Sequence, residues 1–159
     1  MSVPYGDPAR VVLAERSVVA DSLDGLRVVV IEDEKDIRAA MLALLEGWRC
    51  EVVAAGSAAA AESEVAERRF TPDVVLADYR LPGITGLEAI NRLRARFPDA
   101  VGVVISGDIA PEVLRAAEAS GFHMLHKPLR PARLRALLGS VRRSRGETGE
   151  RARQAAEAT

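Results

Sequence analysis

Residues 26–48, LRVVVIEDEKDIRAAMLALLEGW, decide the fold class. LRVVVI is a continuous, largely β-branched run of strand length, and from Glu34 to Trp48 the apolar side chains Ile37, Met41, Leu44 and Trp48 recur at helical spacing. A strand followed at once by a helix is the repeating unit of an α/β sheet, and here the unit recurs. CEVVAA (50–55) precedes an Ala-rich helix from Ser57 to Arg69, and DVVLA (73–77) precedes a helix from Gly86 to Phe97. VGVVIS (101–106) precedes Pro111 to Ser120, and FHMLH (122–126) precedes Pro131 to Val141. Strands with unbroken Val and Ile runs are covered on both faces, and joining them through helices requires right-handed crossovers. The pattern predicts a doubly wound, five-stranded parallel sheet in the order 2-1-3-4-5.

Around this core, residues 1–24 read as a linker or N-terminal arm, with Pro4, Gly6 and Pro8 among charges and only two short apolar patches, Val11 to Leu13 and Val18 to Val19. Residues 25–141 form the expected domain. Residues 142–159, RRSRGETGERARQAAEAT, carry almost no large apolar side chain and are expected to be a solvated polar tail, disordered or helical in part.

The chain of 159 residues carries 22 basic and 23 acidic side chains, a formal net charge of -1, so it lacks the excess positive charge that makes nucleic acid a default partner. With 48% hydrophobic and 28% charged residues it is an ordinary globular sequence. Its single cysteine, Cys50, forms no internal disulfide and reads as a small core residue. No apolar run approaches bilayer-spanning length and no signal-peptide pattern opens the chain, so the cytoplasm is the expected location, without membrane insertion of this chain. Of the basic residues, 20 are Arg and only two, Lys35 and Lys127, are Lys.

Ligands of open α/β sheets bind beyond the carboxyl ends of the strands. Here the first strand ends in Glu32-Asp33, the third in Asp78, the fourth in Ser106 and the fifth in Lys127-Pro128. The predicted order brings these side chains to one crevice. Three carboxylates and one ammonium sum to -2 there, a crowding that a divalent cation relieves. Oxygen ligands without His or Cys suit Mg²⁺, which keeps waters and takes a phosphate oxygen readily. Lys127 and the Ser106 hydroxyl would then meet phosphoryl oxygens, leaving Asp78 as nucleophile on phosphorus. Each piece alone has a plainer reading. Glu32-Asp33 could cap the first helix, Asp78 could start a solvated turn, and Ser106-Gly107-Asp108 and Lys127-Pro128 could be simple strand ends. Their joint occurrence at the right strand ends favours the site.

VVVIEDE, VVLADYRLPGITG, VVISGD and HMLHKP together resemble the signature of a response-regulator receiver domain, the phosphoaccepting module of two-component signalling, over about Leu26 to Val141. The resemblance implies a flavodoxin-like fold, an acidic Mg²⁺ pocket of Glu32 and Asp33 with Asp33 the more direct ligand, and Asp78 as phosphoacceptor. It further implies Ser106 as switch hydroxyl, Lys127 as the phosphoryl contact, the backbone carbonyl of Arg80 as a metal ligand and a cis Lys127-Pro128 peptide. Where receivers often carry a switching Tyr or Phe, this chain has Met124, so the aromatic half of the switch is lacking.

The stretch SGDIAPEVLRAAEASGFHMLHKPLRPARLRALL resembles receivers at the C-terminus of hybrid sensor histidine kinases, with a stand-alone regulator or an unphosphorylated adaptor as alternatives. Implied partners are a histidine kinase or phosphotransfer domain as phosphodonor and an output protein on the face of the fourth helix, fifth strand and fifth helix, which should present Arg115, Glu118, Arg133 and Arg135. A phosphorylation-linked dimer is a further expectation. Arg80 and Asp108, each two residues past a strand end, should flank the mouth of the site, where an ion pair would slow hydrolysis of the acyl phosphate.

Enzyme readings fare worse. A phosphatase with an aspartate nucleophile needs a second Asp where this chain has Arg80, the first strand is followed by IEDEKD rather than a glycine-rich dinucleotide turn, and no G-x-x-x-x-G-K-[ST] run occurs.

Overall fold

The computed structural model describes residues 22–107 and 110–158, with side chains through residue 146. Five strands, β1 (Arg27–Ile31), β2 (Glu51–Ala55), β3 (Val74–Asp78), β4 (Val101–Ser106) and β5 (His123–His126), form one sheet in the order β2-β1-β3-β4-β5. Every pairing is parallel, with Val28 opposite Val52 and Val74, and Val104 opposite Met124. The intervening helices are α1 (Lys35–Gly47), α2 (Ala58–Glu67), α3 (Gly86–Arg96), α4 (Pro111–Ala119) and α5 (Pro131–Ala158). The expected fold class and strand order are those observed.

Successive side chains of a strand point to opposite faces, and each strand feeds two cores. Val28 and Val30 of β1 face a core completed by Met41 and Leu45 of α1 and by Leu134, Leu138 and Val141 of α5. Val29 and Ile31 face the other, completed by Ala61 and Val65 of α2 and by Ile90 and Leu93 of α3. Both faces being covered accounts for the unbroken Val and Ile runs. Helix starts follow local chemistry: Ser57 Oγ accepts the Ala60 N–H at 3.1 Å, Thr85 Oγ1 accepts the Glu88 N–H at 3.2 Å, and Pro111 opens α4. Cys50 is buried, and burial pushes its thiol up to about 11, so it is a packing residue.

Three expectations change. Leu23, read as part of the arm, is 1% exposed in the α1/α5 core, and the Gly25 N–H donates to the Arg49 carbonyl at 2.9 Å, so packing begins before residue 25. The rest of the expected arm, residues 1–21, lies outside the described residues. The polar tail, expected to be disordered or helical in part, continues α5 to Ala158. Its Arg, Ala, Glu and Gln residues are good helix formers, and a chain entering the segment already helical has no nucleation cost. At its base, Arg142 Nη1 donates to the Asp24 carbonyl at 2.6 Å and Arg145 Nε pairs with Asp73 Oδ1 at 3.2 Å. Finally, Arg135 does not stand free on the output face: its guanidinium lies over the Trp48 ring of α1, 5.4 Å from the centroid. Among the described residues, no helix is long and apolar enough to cross a membrane.

If Leu23 belongs to the core, Leu23→Ala lowers the unfolding free energy by about 2–5 kcal/mol in urea denaturation, the cost of a buried Leu truncation. An unchanged midpoint would return Leu23 to the arm.

Candidate functional site

The strand ends converge as the topology requires. Glu32 and Asp33 follow β1, Asp78 closes β3, Ser106 closes β4 and Lys127 follows β5. Asp33, Glu34, Asp78, Arg80, Ser106, Gly107 and Lys127 line an open cleft of about 550 Å³.

Within it, Glu32, Asp33 and Asp78 each bring a carboxylate oxygen to within 4.8 Å of the others. Their exposures differ: Glu32 and Asp78 are buried and Asp33 is exposed. Glu32 Oε1 accepts the Glu34 N–H at 3.1 Å, so one of its oxygens already serves the loop. Burial pushes the Glu32 carboxyl up to about 7; the Glu34 hydrogen bond opposes this, the charge of Asp78 adds to it and Lys127 opposes it. A carboxyl raised toward neutrality first by burial and then by a neighbouring carboxylate fits a place where a cation belongs. The donor set, all oxygen and partly open to water, suits Mg²⁺. The plainer reading of Glu32-Asp33 as a helix cap does not describe the geometry, because the N-cap of α1 is Glu34 and it makes no side-chain capping bond.

Asp78 has both oxygens engaged. Oδ2 accepts from Lys127 Nζ at 2.9 Å, and Oδ1 accepts the Arg80 N–H at 3.2 Å. Burial pulls the Lys127 ammonium down, but the Asp78 hydrogen bond and charge, helped by Glu32 and Glu34, leave it raised on balance and firmly protonated. The Lys127 N–H donates to the Ser106 carbonyl at 3.0 Å, placing lysine and hydroxyl residue side by side, and the Lys127-Pro128 peptide is cis. Met124 is half-buried against the α2/α3 core. Asp108, the expected partner of Arg80, lies outside the described residues.

Two supports escaped the sequence reading. The Glu34 N–H was not recognised as the anchor of Glu32. Gly86 opens α3 directly against the phosphoacceptor candidate: a Cβ there would sit 2.3 Å from the Asp78 carbonyl oxygen, and its N–H donates to the Tyr79 carbonyl at 2.8 Å. The available signal was a glycine at the first position of a helix, where it is a poor helix former and so implies a close approach.

A protein-glutamate methylesterase/protein-glutamine glutaminase of Anaeromyxobacter dehalogenans is 36% identical over 106 residues, covering 66% of this chain and 30% of the relative. The sensory/regulatory protein RpfC of Xanthomonas campestris pv. campestris is 31% identical over 114 residues, covering 69% of this chain and 15% of the relative. The chain therefore spans less than a third of the length of either. A response regulator receiver domain protein of Clostridium thermocellum has a crystal structure that superposes with a TM-score of 0.70 at 22% identity, covering 77% of this chain and 98% of that one. Residues 28–139 match the family model of the response regulator receiver domain, and with the strand order and acidic cleft already described, the chain belongs to that family.

Proposed function

We propose that this receiver domain of two-component signalling accepts a phosphoryl group on Asp78 from a phosphohistidine of a histidine kinase or phosphotransfer domain. The observation that carries the reading is the 2.9 Å contact of Lys127 Nζ with Asp78 Oδ2 inside a cluster of three carboxylates at the strand ends. An Asp78 oxygen attacks phosphorus, the P–N bond to the donor imidazole breaks, and the imidazole nitrogen takes up a proton. Lys127 and the Ser106 hydroxyl offer a positive charge and a hydrogen-bond donor to the transferred oxygens. Asp33, Asp78, the Arg80 carbonyl and, less directly, Glu32 would hold Mg²⁺, which when bound neutralises negative charge brought in by the phosphoryl group. Met124, flexible and half-buried, takes the place of a switching ring. Output through the face of α4, β5 and α5 would present Arg115, Glu118 and Arg133, all exposed.

The similarity to RpfC and the resemblance of residues 106–138 support placement in a hybrid sensor histidine kinase of the cytoplasm; a kinase coding sequence contiguous with this one would support it, and a self-contained gene would point to a stand-alone regulator.

With Mg²⁺ and acetyl phosphate, intact-protein mass spectrometry is expected to show one added phosphoryl group, lost in Asp78→Asn. Lack of modification in the wild-type chain would sink the phosphoacceptor reading. Lys127→Ala should reduce retention of the beryllium-fluoride phosphoryl mimic by about tenfold or more, because the positioned charge is gone. The raised Glu32 carboxyl gives a pH signature in metal-free protein. Between about 4.5 and about 7 the folded state holds a proton that the unfolded state releases, so this group's contribution falls as pH rises through that window. A series of Tm values in chelator should show that decline, flattened in Glu32→Gln, and added Mg²⁺ should restore Tm at neutral pH.

A further inference from the structure

Behind the acidic pair, on the side away from Asp78, lies a guanidinium that the chemistry above does not use. Arg38 stands in the first turn of α1, half-buried, and its Nη1 donates to the Glu32 carbonyl at 2.8 Å and reaches the Asp33 carbonyl at 3.5 Å. It holds the backbone of both acids, not their carboxylates. The Glu32 N–H is held as well, donating to the Ala55 carbonyl at the end of β2 at 3.0 Å. The next residue is Gly56, and a Cβ there would lie 3.0 Å from Arg38 Nη1. The guanidinium thus packs against Gly56 between the β1–α1 and β2–α2 loops, and a Cβ at residue 56 would have to displace it by a few tenths of an ångström.

We propose that Arg38, seated over Gly56, is a positioning residue for the cation site: it fixes the Glu32-Asp33 backbone so that the two carboxylates face Asp78. The argument rests on the cation-site reading above. The α1 N-cap, Glu34, adds no side-chain capping bond of its own to these restraints. A planar guanidinium with several N–H donors suits two neighbouring carbonyls better than a single ammonium. Supports of this kind commonly change metal affinity by about tenfold to a hundredfold when removed.

The sign of the effect separates positioning from charge. Removing a cation near three carboxylates would, by Coulomb attraction alone, tighten Mg²⁺ binding. Loss of positioning weakens it. Titration calorimetry of the full chain with Mg²⁺ alone is expected to give a Kd raised about tenfold in Arg38→Ala, with the metal-free Tm reporting that the variant is folded. Gly56→Ala leaves every charge in place and should weaken binding in the same direction but less, as its Cβ pushes the guanidinium aside. In the Arg38→Ala background, Gly56→Ala should add nothing further. Unchanged or tighter binding in Arg38→Ala overturns the proposal, as does a Gly56→Ala effect that persists without Arg38. Should Arg38→Ala fail to fold, Gly56→Ala alone carries the test, and unchanged affinity there overturns the proposal. A wild-type chain that does not bind Mg²⁺ overturns the cation site itself, and this inference with it.

Discussion

Carboxylates crowded at the end of a parallel sheet set the terms for this structure. Glu32, Asp33 and Asp78 bring oxygens within 4.8 Å of one another at the edge of a low-dielectric core, where each charge disfavours the next. Left alone, such a cluster relaxes by protonation or by moving apart. Burial and the charge of Asp78 raise the Glu32 carboxyl, and bonds hold two of the three acids in place: Glu34 N–H on Glu32, Arg80 N–H and Lys127 Nζ on Asp78. A protein that holds like charges together against their repulsion has built a place for opposite charge.

The sheet makes this possible because the middle of its strands is apolar and polar residues stand at the strand ends. The central strands β1, β3 and β4 are buried on both faces along their length, so a carboxylate or hydroxyl that is to face the cleft stands at their carboxyl ends or just beyond. The order β2-β1-β3-β4-β5 then places β1 and β4 on either side of β3, with Asp78 at the centre of the row. The approach of α3 is equally constrained, since only a residue without Cβ can bring its start so near the Asp78 carbonyl.

What could be read from sequence follows from these constraints. Strand runs such as LRVVVI and VGVVIS are legible because burial on both faces leaves no other pattern, and the strand-end residues are legible because polarity there has no packing reason. The backbone anchors are not legible. Glu34 acts through its N–H and the Arg38 guanidinium acts on carbonyl oxygens, groups whose pairing depends on how the loops close rather than on a spacing in the sequence. Leu23 was misread for a related reason: one Leu amid Ser and Asp has no period, and only the fold shows that it plugs the core beside α5. The length of α5 was only partly legible, because absence of apolar residues argues against burial, not against a helix already nucleated upstream.

The two-lysine composition acquires a physical meaning at Lys127. In a chain with 20 Arg, an Arg at this place would bring a bulkier planar fork, whereas Lys127 makes one contact, with Asp78 Oδ2, while Oδ1 accepts the Arg80 N–H. A compact ammonium on a flexible stem makes a single contact and can follow that oxygen if it gains a substituent. The backbone of the same residue is bonded to the Ser106 carbonyl, and the chain continues through Pro128 into α5. A change of charge at Asp78 therefore acts on a side chain whose main chain joins the end of β4 to the start of the last helix. Because the stem is flexible, a small displacement of the ammonium can be absorbed locally, and an ammonium that loses its carboxylate partner has water within reach, its side chain being 34% exposed.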